Sequence, residues 1–216
     1  MSNICGIGWI NPEEYGCVMR GLKVSYENKV FLKKKIFPLP FKNLGRLDSV
    51  SRMTCYAVSL ALKDAGIKYS LNRKQDIGII GTNTSGSLQS DINYFKDYLD
   101  SGRTLSRGNL FIYTLPTSPL AEAAIYFGLQ GPLLYMTLSQ PGTAALLRNA
   151  GNIIVCGDTT AMLAVKGDEA EAVCFVLTQE KDLSRGKACS LEKITAVAER
   201  TSRLDEVITG CIAAVL

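Results

Sequence analysis

The stretch of this chain that could do nucleophilic chemistry is Gly131-Pro132-Leu133-Leu134-Tyr135-Met136-Thr137-Leu138-Ser139-Gln140-Pro141-Gly142-Thr143-Ala144-Ala145-Leu146-Leu147. A Gly-Pro break opens it and an apolar run follows. Gln-Pro-Gly then turns the chain into an Ala/Leu-rich segment. That order predicts a strand, a tight turn and a buried helix. Such a turn lifts one side chain from the end of a sheet toward a helix N-terminus, where free backbone N–H groups and the helix dipole favour an anion. A Cys or Ser at that point would be a nucleophile. The residue there is Gln140, which cannot attack a carbonyl. The stretch is either a plain structural turn or a catalytic turn without its reactive atom.

The rest of the catalytic repertoire is narrow. The sequence has no histidine, which removes imidazole general bases, His triads and His metal ligands. No metal site and no cofactor are expected. Glu122 and Asp158 are a conceivable carboxylate pair, but a first-turn Glu more simply caps its own helix and a Gly-Asp strand end is a turn. The seven cysteines, Cys5, Cys17, Cys55, Cys156, Cys174, Cys189 and Cys211, are scattered through apolar segments without a C-x-x-C. They read as reduced, mostly buried thiols of a cytoplasmic protein. Cys156 and Cys174 are expected inside buried strands, and Cys211 is the reactive-thiol candidate by position.

Composition sets further bounds. Of 216 residues, 47% are apolar and 20% charged, with a net charge of +4, as in a folded globular protein. Lys33-Lys34-Lys35 is the densest basic run. It reads as a solvated loop or a docking patch for an acidic partner. No basic stripe is interleaved with aromatics, so nucleic acid is not an expected partner. No apolar run reaches the ~18 residues of a membrane helix.

The positioning elements follow from pattern. Asn3 to Ile10 reads as a short apolar strand whose Gly6 and Gly8 permit close backbone packing. Residues 11–45 read as an irregular surface excursion, with a short hairpin around Val24 to Leu32. Asp48 to Gly66 has helical spacing at Met53, Tyr56, Ala57, Leu60 and Ala61, stopped by Gly66. Asp76 to Gly81 reads as a buried strand running into a Thr/Ser/Gly loop, and residues 87–99 as a helix with apolar positions Leu88, Ile92, Phe95 and Leu99. The loop lacks the Lys of a P-loop. Ser118 and Pro119 mark a helix start and Gly128 its end. Further buried strands are expected at 152–158, 170–177 and 191–198, and 204–216 is helix or strand. Continuous apolar runs with helices between them predict an α/β fold whose sheet is covered on both faces. Residues 1–216 read as one domain.

Taken together, several segments resemble the N-terminal half of a β-ketoacyl-acyl carrier protein synthase of the thiolase-like superfamily. They are Ile4-Cys5-Gly6-Ile7-Gly8, the segment from Gly45-Arg46-Leu47-Asp48 to Ala65-Gly66, Ile77-Gly78-Ile79-Ile80-Gly81-Thr82, Leu115 to Ile125, Phe127-Gly128-Leu129-Gln130-Gly131-Pro132, Val155-Cys156-Gly157-Asp158, and Gly167 to Val173. The resemblance implies a thiolase-like layered fold, one half-type domain with a mixed, mostly parallel sheet covered by helices. It places Gln140 where the family's nucleophilic Cys stands, as in chain-length-factor subunits. Ser139, Gly142 and Thr143 would frame that degenerate site.

The departures matter as much. The family's two catalytic histidines are missing. About two turns of the nucleophile helix are expected to be missing between Gln140 and Asn152, at ~3.6 residues per turn, and an insertion between Asp158 and Gly167 is absent. The implied role is an inactive partner that forms a homodimer, or a heterodimer with a full-length ketosynthase, through the strand that begins at Leu133 and ends at Leu138. Acyl carrier protein is a further partner. The alternatives are residual acyl-thioester transfer or hydrolysis through Ser139 or Thr137, and an acyl-binding module in a cleft between residues 82–87 and 140–143.

Overall fold

A computed structural model describes residues 2–26, 32–70, 73–104, 106–138, 142–179 and 187–215. In chain order the elements are β1 (Ser2–Ile10), β2 (Glu14–Cys17), β3 (Leu22–Ser25), α1 (Leu32–Ile36), α2 (Ser49–Asp64), β4 (Ile77–Thr82) and α3 (Leu88–Asp100). They continue with α4 (Gly108–Phe111), α5 (Ser118–Phe127), β5 (Leu133–Tyr135), α6 (Gly142–Cys156), β6 (Ala161–Gly167), β7 (Ala172–Gln179), β8 (Cys189–Ser190), α7 (Leu191–Glu199) and α8 (Leu204–Val215).

One sheet runs β3-β2-β1-β7-β6-β4-β5, with β8 added to β1. β4 pairs parallel with β5 and β6, and the other neighbours are antiparallel. Traced across these pairings, β1, β3, β4, β5 and β6 run one way and β2, β7 and β8 the other. Alternate side chains of β6 and β7 enter two separate cores. Leu163, Val165, Cys174 and Val176 face α2 and α5. Met162, Ala164, Val173, Phe175 and Leu177 face α6 and α7. This is the expected helix-covered mixed sheet, and the double covering explains why its strands are apolar on both faces.

Glycines set how closely α2 lies on β1. A Cβ on Gly8 would stand 2.1 Å from the Ala61 nitrogen, and one on Gly6 2.5 Å from the Ala61 oxygen. The helix itself starts where the Asp48 carboxylate accepts the Ser51 N–H at 2.8 Å, and Gly66 at φ +72° ends it. In α5 the cap position is Thr117, Pro119 lies in the first turn, and Gly128 closes the helix in the left-handed conformation.

Three expectations are corrected. Residues 14–25 are not irregular: β2 and β3 form a hairpin around residues 18–21, earlier than expected, and it widens the sheet. Residues 152–156 are the last turn of α6, not a strand. α6 is therefore a helix of 15 residues that runs on past Asn152. Residues 161–167 form the core strand β6, which no expectation covered. Residues 191–198 belong to the helix α7, and 204–215 resolve as the helix α8.

Candidate functional site

The carboxyl ends of β4 and β5 point the same way, and the helix α6 begins a few residues after β5. These are the strand and the helix that the sequence predicts on either side of the turn. Its apex, Ser139 and Gln140 with Pro141, lies outside the described residues. The two remaining candidates open α6, and both are buried. A Cβ on Gly142 would meet the Leu138 Cβ at 3.4 Å, an ordinary van der Waals contact. Thr143 is 0% exposed, and its Oγ1 has no hydrogen-bond partner among the described residues. Thr137 is exposed, and Leu138 packs against the core on the α6 side.

A hydrogen-bonded lattice closes the strand ends. The Tyr135 hydroxyl donates to Asn83 Oδ1 at 2.8 Å. The same oxygen accepts the Gly86 N–H at 2.7 Å, and Asn83 Nδ2 returns a bond to the Gly86 carbonyl at 2.8 Å. Asp168, just beyond β6, accepts from the Thr84 N–H at 3.0 Å and from Thr84 Oγ1 at 3.1 Å. Burial pushes the Tyr135 phenol pKa up, and the charge of Asp168 adds to it. Phenol and amide are thus held as neutral, structural partners. Tyr135, Asn83, Thr82 and Gly167 line a cavity of only ≈ 10 Å³, about the space of one water molecule.

Of the expected cleft between residues 82–87 and 140–143, residues 140 and 141 lie outside the described residues. Ser85, Gly86 and Ser87 border a polar cleft of ≈ 280 Å³ with Arg46, Asp48 and Arg52 at the start of α2. Asp48 also accepts from Ser90 Oγ at 3.1 Å, which ties α3 to that helix start. Gly142 and Thr143 belong to the buried opposite side of the sheet.

The other candidates are placed as follows. Glu122 sits in the second turn of α5, not the first, and no acidic residue lies in that helix's first turn. Its charge instead helps burial to raise the Tyr113 phenol to about 12. Cys156 is exposed, against expectation, because it ends a helix instead of filling a strand. Cys174 is buried as expected. Cys211 is 0% exposed and burial pushes its thiol to about 12, so it is not a reactive thiol. Among the described residues no group of three His, Cys, Asp or Glu could hold a metal ion, and no helix is long and apolar enough to cross a membrane. The Asn83–Tyr135–Asp168 lattice escaped sequence reasoning because its members come from three distant segments joined only by strand order.

No protein-family model and no curated protein matches this sequence. Solved structures do. A β-ketoacyl synthase from Burkholderia phymatum STM815 aligns with a TM-score of 0.60 at 17% identity, over 83% of this chain and 59% of that one. A type II polyketide synthase acyl-carrier protein in complex with its ketosynthase bound to the hexaketide gives a TM-score of 0.63 at 15% identity, over 83% and 63%. A ketosynthase in complex with its chain length factor, from Xenorhabdus doucetiae, gives 0.53 at 18% identity, over 83% and 79%. The chain thus has the thiolase-like fold of the ketosynthases, and it spans about three-fifths of the first two structures.

Proposed function

We propose that this chain is a non-catalytic, ketosynthase-like subunit of fatty acid or polyketide-type biosynthesis that works by pairing, as chain length factors do in the complexes it resembles. The observation that carries the reading is the distribution of exposed apolar surface. Ten of the eleven large apolar side chains exposed among the described residues lie on one connected set of elements. These are Leu88, Ile92, Phe95 and Leu99 of α3, Phe111, Ile112 and Leu115 around α4, Ile125 of α5, and Leu133 and Leu134 of β5. Among the described residues β5 is also an edge strand, bonded to β4 alone.

Exposed apolar side chains beside an open strand edge mark a surface that a partner would cover. A strand edge that meets its own two-fold copy, or the same edge of a related subunit, covers both at once. Gln140 at the nucleophile position and the absence of histidine support the non-catalytic half of the reading, since neither a thioester nor its carbanion has a group to act on it.

Solution mass tests the reading. The 23.5 kDa chain is measured alone and mixed with a full-length ketosynthase and acyl carrier protein from the same source. A dimer, or a complex with the ketosynthase, is expected, and Leu134→Lys should disperse it. A strict monomer that binds neither protein overturns the proposal. Incubation with malonyl or acyl thioesters should release no thiol above background.

A further inference from the structure

A second cavity lies away from the strand–turn–helix, between α1, the C-terminal end of α2 and the segment after it. It measures ≈ 440 Å³, within the ~300–1,000 Å³ usual for small-molecule sites. Its body is apolar: Ile36, Phe37, Pro38, Leu39, Ile67 and Tyr69. That wall is rigid, because Phe37 and Tyr69 belong to an aromatic cluster. Phe37 lies 5.3 Å from Tyr56 and 5.6 Å from Tyr126, and Tyr69 lies 4.8 Å from Phe127, centroid to centroid. The Ser59 hydroxyl, which also lines the cavity, is committed to the Ile36 carbonyl at 2.9 Å.

The rim is cationic. Arg20, Lys34, Lys35, Lys63 and Lys68 all line the cavity and all are exposed. No lining residue is acidic. Among the described residues none of the five forms an ion pair. The nearby carboxylate of Asp64 is buried and turned inward, onto the backbone N–H groups of Ile7, Met19 and Arg20. Five positive charges at one opening exceed the net charge of the whole chain, +4, so the rest of the molecule sums to 4 − 5 = −1. Unpaired cations around an apolar hollow concentrate a positive potential where a ligand would enter, and their aliphatic stems extend the apolar wall.

We propose that this cavity binds a single-chain amphipathic anion, with its aliphatic body against Phe37, Leu39, Ile67 and Tyr69 and its carboxylate or phosphate head among the five cations. The site does not depend on the pairing proposed above, since it uses none of the exposed apolar residues of α3, α4 or β5. It also accounts for part of the basic run that the sequence singles out: Lys34 and Lys35 stand at the rim of a hollow, not on a featureless loop.

Titration calorimetry with dodecyl phosphate below its micelle concentration tests the proposal. Saturable one-to-one binding is expected. The affinity should rise about fourfold per methylene along a series of shorter to longer alkyl phosphates, the signature of a buried chain. Added salt should weaken it, because the rim is solvent-screened. The double variant Lys34→Glu/Lys68→Glu changes two exposed side chains and should melt like the parent, yet bind about tenfold more weakly. Lys96→Glu on α3 should leave the affinity unchanged. The proposal fails if inorganic phosphate binds as tightly as dodecyl phosphate, or if binding is independent of chain length or salt. It also fails if the double variant binds like the parent, or if only anionic vesicles bind and monomeric amphiphiles do not.

Discussion

At the scale of single residues, Asp64 shows how one side chain can hold distant segments together. Its carboxylate sits at the end of α2 and accepts three backbone N–H groups, from Ile7 at 2.8 Å, Met19 at 2.9 Å and Arg20 at 3.0 Å. It thereby joins α2 to β1 and to the β2–β3 turn. Burial pushes its pKa up from the ordinary carboxylate value, while the three N–H donors and the Arg20 charge pull the other way. Asp64→Ala would leave three donors unpaired, at ~1–3 kcal/mol for each buried unsatisfied group. The expected loss is about 3–5 kcal/mol in urea unfolding. Asp64→Asn keeps an acceptor oxygen and should lose clearly less. Equal losses in the two variants would mean that one acceptor oxygen cannot stand in for the two of the carboxylate. Gln140, by contrast, is informative for what it lacks: no carboxamide supplies the electron pair that a Cys or Ser would.

At the scale of elements, the α2–β1 contact allows no added atoms on the strand. A methyl on Gly8 would fall 2.1 Å from the Ala61 nitrogen, against backbone that cannot swing aside. Gly8→Ala should therefore cost about 3 kcal/mol by overpacking, seen as a lower urea midpoint with an unchanged slope. An unchanged midpoint would show that the helix can retreat from the strand. This packing was legible in the sequence, because the glycines of β1 and the small residues of α2 both point to close approach, and Asp48 and Gly66 mark the helix ends. The end of α6 and the whole of α7 were not legible. Ile153, Ile154 and Val155 form a β-branched run that favours a strand locally, yet Leu147, Ala150, Gly151 and Ile154 bury one helical face and leave Val155 72% exposed. Residues 191–199 repeat the conflict. There the spacing Leu191, Ile194, Thr195, Ala198 is helical, and the Ser190 hydroxyl caps the Lys193 N–H, signals that outweigh the propensity of Ile194 and Val197. For the candidate site, the sequence located the strand β5 and the start of α6 on either side of it. It could not show that Asn83, Tyr135 and Asp168 meet there, nor that Thr143 is buried.

At the scale of the whole molecule, the thiols make stability depend on alkaline pH. All seven cysteines are free, and Cys17, Cys55, Cys174 and Cys211 are 0% exposed. The first three lie in the core between the sheet and α2, and Cys211 lies in the core on the opposite face. Burial raises every one of the four, Cys17 and Cys211 to about 12, from a value of 9.0. Between pH 9 and 12 the unfolded chain sheds these protons while the native chain keeps them. The native state then binds more protons than the unfolded one, so unfolding free energy must fall as pH rises through that window. Each thiol contributes ~1.4 kcal/mol per pH unit once its unfolded form is ionised, and four together approach ~5 kcal/mol per unit. Against a total stability of ~5–15 kcal/mol, both cores should open together one to three units above pH 9. Urea midpoints measured from pH 8 to 11 should be level at first and then drop steeply, and Cys174→Ala should flatten the fall by about one thiol's share. A midpoint that holds steady through pH 11 would show that these thiols ionise in the native state. A thiol-reactive dye separates the two cases at pH 8: exposed Cys156 should react at once, and the four buried thiols only at the rate at which the whole sheet unfolds.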